Sequence, residues 1–237
     1  MRRYRLSMIA VFLATAGVVT AVAQNQNNQG NQPACSIPSS VVNNVLGQLA
    51  SVVQLNNGGL FQPNRMWAAV VDRQGVLCSV TRSDADAWPG SRDIAIAKAY
   101  TANAFSSHSL ALSTANLYGP TQPGGSLYGL NNSNPFNPVF NPQGTGNGAV
   151  VGGMITFGGG VALYSNGQVI GGLGVSGDTS CADHAVAYRM RAQANLNGTP
   201  TPGEDNIQYY PGFITSSTQV DPTQFAQPHC LATDVTP

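Results

Sequence analysis

An Asn-Gly pair at 166–167 stands between two apolar runs, Val161 to Ser165 and Gln168 to Ser176. Asn-Gly suits a two-residue turn with both central residues at positive φ, and that turn matches the twist of antiparallel strands. The pair therefore predicts a β-hairpin. Its second arm reads Gly171-Gly172-Leu173-Gly174-Val175-Ser176-Gly177. Glycines inside a strand mark a place where a helix or a ligand comes close to the sheet. A second hairpin is expected at 66–82. Met66 to Val71 is a continuous apolar run, Asp72-Arg73-Gln74-Gly75 is turn chemistry, and Val76 to Arg82 returns.

Three helices are expected around these hairpins. One follows Pro38, with Val41, Val45, Leu49 and Val52 at helical spacing. A second is Ala-rich and runs from Arg92 to about Phe105 behind Pro89 and Ser91. A third runs from about Cys181 to Leu196, with Ser180-x-x-Asp183 as a capping box and Gly198 as its end. Val150 to Phe157 reads as a further strand. Residues 106–148 are rich in Gly, Pro, Asn and Ser and read as an extended loop insertion. This order of elements predicts an α+β domain built on one antiparallel sheet.

The amino terminus reads as a secretory signal over residues 1–23. A basic start precedes an apolar run from Met8 to Val19, and Ala21-Val22-Ala23 offers a small-residue cleavage site. The apolar run is too short to span a bilayer, so no membrane span is expected after cleavage. Residues 24–34 are a disordered polar linker, 35–198 the domain, and 199–237 a Pro-rich tail packed on it. Export to the periplasm or beyond agrees with four cysteines, Cys35, Cys78, Cys181 and Cys230, which read as two disulfides. Three connectivities are open; Cys35–Cys78 with Cys181–Cys230 is favoured, the second pair tying the tail down. Only 8% of residues are charged and the formal net charge is +0. A nucleic-acid surface needs a basic stripe, so that class of partner is excluded.

Lys98 is the only lysine, and it shares a helix face with Ile94, Ala97, Thr101 and Phe105. An unpaired ammonium is costly on an apolar face. Lys98 therefore meets an acid such as Asp72 or Asp93, or anchors an anionic ligand group. His108, His184 and His229 show no zinc spacing. His184 falls in the first turn of the third helix, where the positive helix end favours a neutral, metal-binding imidazole. It is either an exposed helix-start residue or the best candidate to ligate a haem iron, with His108 second. His229 reads as tail surface. Gly172 to Gly177 matches G-x-G-x-x-G, but no acidic residue stands some 20 positions on, so a dinucleotide site is disfavoured. Asp84 and Asp86 read as a solvated turn rather than a cation loop. No G-x-S-x-G elbow is present.

Taken together, Val71-Asp72, Gly75, Arg82, Asp93, Lys98-Ala99-Tyr100-Thr101-Ala102, Gly159-Gly160, Ile170-Gly171, Gly174-Val175-Ser176-Gly177 and Asp183 resemble the GlcG/HbpS-like, or haem-degrading, domain family. The likeness covers about residues 40–197. It implies a profilin-like antiparallel sheet with flanking helices in α-β-α layers, often in a homo-oligomer. It also implies binding of haem or another flat small molecule, with weak degradation at most. On that reading Lys98 or Arg92 meets a propionate, His184 or His108 ligates the iron, and Tyr100, Thr101, Phe105, Gly174, Ser176 and Asp183 complete the pocket. Capture, storage or sensing is the expected role. The alternatives are an accessory subunit docking a periplasmic protein partner, or a small-molecule enzyme of the same fold using Lys98 and Asp72. The insertion at 106–148 and the tail from 199 depart from the family pattern.

Overall fold

The computed structural model describes residues 34–138, 149–210 and 225–237. The expected signal and most of the expected linker lie outside them. Gln32–Pro237 forms one compact unit.

Both predicted hairpins form. β1 (Trp67–Asp72) pairs antiparallel with β2 (Leu77–Arg82), and β3 (Gly160–Ser165) pairs antiparallel with β4 (Gln168–Ser176). β1 also pairs antiparallel with β4, Trp67 opposite Ser176 through Asp72 opposite Gly171, so the sheet runs β2-β1-β4-β3. Asn166 and Gly167 both take positive φ at the β3–β4 turn, as the dipeptide requires.

Alternate residues of β1 feed two cores. Ala68 and Val70 join Val161, Leu163, Leu173 and Val175 under α1 (Ser39–Gly47), α2 (Leu49–Val52) and a C-terminal helix at Ser180–Gln193. Trp67, Ala69 and Val71 face the other way, against Ala95, Ile96 and Ala99 of α3 (Ser91–Phe105). Helices thus cover both faces of the sheet, and burial of aliphatic side chains on each side drives the layering. The β4 glycines admit a helix: a Cβ on Gly172 or Gly174 would collide with the carbonyl oxygens of Ala99 or Ala95.

The insertion contains two single-turn helices, α4 (Tyr118–Thr121) and α5 (Leu130–Ser133), which makes the Ser180–Gln193 helix α6. Three expectations are corrected. Val150–Phe157 makes only isolated bridges at Val150 and Gly152, because Gly152 and Gly153 turn the chain with positive φ. The cap of α6 is Thr179, whose side chain accepts from the Ala182 N–H, one residue before the expected Ser180. α6 ends at Gln193 with Ala194 as its C-cap, and Asn195, at positive φ, turns the chain away, so Gly198 does not close the helix.

The disulfides are Cys35–Cys78 and Cys181–Cys230. The first ties the segment leading into α1 to β2; the second ties the tail to the first turn of α6. Among the described residues, no helix is long and apolar enough to cross a membrane.

Candidate functional site

α3 contributes to two adjoining sites through neighbouring residues. Ala97 lines an open groove and Lys98 lies in a buried polar centre.

The groove runs along α3 and has a volume of about 340 Å³. Asp93, Ile94 and Ala97 form its floor. The insertion supplies one wall with Asn131, Asn134, Pro135 and Phe136, and Gly153, Met154 and Ile155 supply the other. The Ile155 N–H donates to Thr101 Oγ1 at 3.0 Å, which holds that second wall against the helix. Its size falls at the lower end of small-molecule sites, and its walls are mainly apolar. Asp93 lies beside Arg92, 3.4 Å away. Partial burial raises the Asp93 pKa and the Arg92 guanidinium partly offsets it.

The buried centre starts at Lys98, which has no exposed surface. Its Nζ donates to Asp183 Oδ2 at 2.7 Å and to the Val175 carbonyl at 3.3 Å, and lies 4.7 Å from the Phe157 ring centroid. Asp183 Oδ1 accepts from the Asp178 N–H at 3.0 Å. Burial pushes the Asp183 carboxyl up to about 6 against the pull of Lys98, and pushes the Lys98 ammonium down against the pull of Asp183. Lys98 thus pairs with neither Asp72 nor Asp93. Asp72 instead organises the β1–β2 turn, accepting from the N–H groups of Gln74 and Val76 and, on the far side, from Ser36. A Lys98–Asp72 catalytic pair is thereby excluded by geometry.

His184 adjoins this centre and is also fully buried, not an exposed helix-start residue. Its Nδ1 accepts from the Gly159 N–H at 3.4 Å, and its Nε2 is buried without a hydrogen bond of good geometry. Burial holds its pKa down at about 3, with Arg191 and Lys98 adding to the effect, so the ring is neutral. Asp205, in the tail, opposes that shift.

The remaining candidates are scattered. Arg92 is buried at the start of α3 and Thr101 is buried, bonding the Ala97 carbonyl. Tyr100 is half-buried and packs toward Gly75 in the second core. Phe105 is half-buried at the end of α3. Gly174 and Ser176 are buried in β4 beneath α3. His108 is exposed, at the far end of the sheet, its Nδ1 accepting from the Val169 N–H at 3.1 Å. His229 stacks on Tyr209 with ring centroids 4.0 Å apart. The structure therefore brings together Lys98, Asp183 and His184, and leaves His108 apart. The sequence reading missed Met154 and Phe136, whose segments have no periodicity, and Asp205, whose partner Arg191 was not suspected.

A family model described as haem-degrading protein, HbpS-like, matches residues 60–192. The chain belongs to this family. Within the family's span lie β1 to α6, the groove floor and the whole Lys98–Asp183–His184 centre. The tail lies beyond it. An uncharacterized 15.0 kDa protein of Citrobacter freundii is 36% identical over 119 residues, which is 50% of this chain and 68% of the relative. The corrinoid adenosyltransferase PduO of Salmonella typhimurium is 34% identical over 128 residues, 54% of this chain but only 32% of the enzyme. Among solved structures, a PduOC complex with haem superposes with a TM-score of 0.53 at 27% identity, covering 69% of this chain and 98% of that one. Klebsiella pneumoniae ORFY superposes with a TM-score of 0.51 at 26% identity, covering 71% and 96%.

Proposed function

We propose that this HbpS-like protein binds haem, or a tetrapyrrole of the same flat shape, outside the cytoplasm, in capture, storage or sensing. The observation that carries the reading is the open apolar groove on α3, in a fold whose PduOC relative is described in complex with haem. Two disulfides support an oxidising compartment.

The groove fits the apolar part of the ligand. Ile94, Ala97, Phe136 and Ile155 would hold the ring, and the Asn131 and Asn134 amides offer donors to propionates at the rim. Arg92 and Lys98 are poorer propionate partners than the sequence suggested, because each is buried beside its own carboxylate. Met154 is the lining residue with a sulfur able to meet iron. His108 and His184 remain the imidazole candidates, one exposed and remote from the groove, one buried behind it. Bound haem would supply an iron for ligand and redox chemistry; the protein's part is to exclude water from one ring face and fix its orientation.

A hemin titration of the oxidised protein, followed by absorbance, tests this. The expected result is a saturable Soret shift near one haem per chain, weakened by Ile94→Asp. Parallel titrations of Met154→Leu, His108→Ala and His184→Ala assign the iron ligand. A flat titration of the wild type overturns the reading.

A further inference from the structure

The described parts of the tail form a strap over the face of α6 that carries His184. Tyr210 N–H donates to the Gln227 carbonyl and Gln227 N–H to the Gln208 carbonyl, so the two tail segments pair with each other. Gln227 Oε1 accepts from the Gly158 N–H at 3.0 Å, and its Nε2 donates to Ser180 Oγ at 2.8 Å. Asp205 is fully buried and receives Arg191 through both guanidinium nitrogens. Cys230 is disulfide-bonded to Cys181 in the first turn of α6. Everything beneath this strap belongs to the stretch that matches the family, and everything in it lies beyond residue 192.

What the strap seals is a histidine. His184 Nε2 is buried without a hydrogen bond of good geometry, and the Asp205 backbone of the strap is its neighbour. Gly158 and Gly159 pack against this residue: a Cβ on Gly158 would stand 3.0 Å from the His184 Cβ, and the Gly159 N–H reaches Nδ1. With Nδ1 accepting from Gly159, the neutral ring carries its proton on Nε2, and a neutral imidazole is what a metal takes as ligand once that proton moves to the other nitrogen.

We propose that the strap is a disulfide-locked cover, and that reduction of Cys181–Cys230 exposes His184 so that its Nε2 ligates haem iron. The ligation half rests on the haem reading above; the cover does not. Cys230 is half-buried whereas Cys181 is not accessible, so Cys230 Sγ is the sulfur a reductant attacks. A thiolate of a dithiol bonds to Cys230, the S–S bond breaks, and Cys181 leaves as thiolate and takes a proton. The dithiol's second sulfur then displaces Cys230 as a thiol. The protein gains two electrons and two protons, and the reductant leaves as a disulfide. Release of Gln227 frees the Gly158–Gly159 segment. The His184 proton then moves to Nδ1, giving up the long contact from Gly159, and Nε2 is open.

The test compares the full chain with Cys181→Ser/Cys230→Ser, which keeps Cys35–Cys78 and offers iron no new thiolate. Diethyl pyrocarbonate modification of His184, read by mass spectrometry, needs no haem. Modification at least tenfold faster in the double variant supports the cover; equal protection in both overturns it, whatever haem does. Dithiol-treated wild type is measured in parallel, so a folding defect of the double variant cannot imitate release. Hemin is then added. A low-spin Soret and visible spectrum in the double variant, absent in oxidised wild type and lost on adding His184→Ala, supports ligation. An exposed His184 with an unchanged hemin spectrum overturns it. A wild-type groove that takes no hemin at all overturns the parent reading and is told apart by the unchanged modification result.

Discussion

The groove on α3 and the centre around His184 start from adjacent residues of one helix and reach opposite states. Ala97 looks into an open, mostly apolar channel whose walls come from the insertion and from Gly153–Ile155. Lys98 looks into a closed polar cluster whose cover comes from the tail. Helical geometry places successive side chains about 100° apart, so one helix serves both. The difference teaches that two segments of this chain, the one after α3 and the tail, do opposite things on one sheet-and-helix scaffold. The insertion builds a wall and leaves access; the tail removes access.

The comparison breaks most severely at Lys98. Lys98→Met leaves the Asp183 carboxylate buried without its cation, and breaking a buried pair on one side costs about 3–5 kcal/mol. Urea unfolding of Lys98→Met is expected to show that loss, with Lys98→Met/Asp183→Asn recovering part of it. A loss under 1 kcal/mol would mean that the Asp178 N–H and the protonated carboxyl already satisfy the site.

The closed centre also predicts a pH signature that the groove lacks. His184 has its folded pKa near 3 against an unfolded value near 6.5. The unfolded chain therefore binds the extra proton first as pH falls. The His184 contribution is complete above pH 6.5 and is lost as pH drops toward 3, by roughly 4 kcal/mol. Asp183 acts with the opposite sign. Its pKa is raised from 3.8 to about 6, so the folded state gains relative stability as pH falls through that window. His184→Gln should remove the first trend and leave the second. Stability measured from pH 7 to 4 should therefore fall less in the variant than in the wild type; parallel curves would show that His184 titrates normally.

A smaller effect separates a glycine that admits a helix from one that packs against nothing. Gly174→Ala drives a methyl group into the Ala95 carbonyl, and overpacking of this kind costs about 1–3 kcal/mol. Gly198→Ala, where a Cβ meets nothing within 4 Å, should be silent in the same unfolding experiment.

The two hairpins, the three main helices and the presence of two disulfides were legible because each rests on local chemistry: Asn-Gly, alternating or helical apolar spacing, and an even cysteine count; which cysteines pair was favoured among three connectivities and not fixed by the count. The glycine strand was legible in part, since the sequence left open whether a helix or a ligand approached it, and the helix did. The partner of Lys98 was not legible. Asp183 stands 85 residues away, and only the stacking of α3 and α6 on opposite faces of β4 brings them together. Asp205 was hidden for the same reason, in a Pro-rich tail with no periodicity. Burial is the other blind spot. The first-turn position of His184 pointed to a neutral ring, but burial is what holds it neutral, and that burial depends on tail residues whose packing no local pattern encodes.

The smallest expected effect is on the open side. Ile94 is half-buried on the groove floor, away from the sheet cores, so Ile94→Ser should hardly disturb folding. If haem lies there, the substitution removes part of its apolar contact. Full burial of such a side chain is worth about 1.5–3 kcal/mol, and partial contact about half of that, which corresponds to a hemin affinity weaker by about three- to tenfold. The same change should leave the His184 modification rate untouched in both redox states, because the strap and the groove share no side chain. Such a loss with His184 unaffected would establish the groove and the covered centre as separate sites; loss of both together would join them into one.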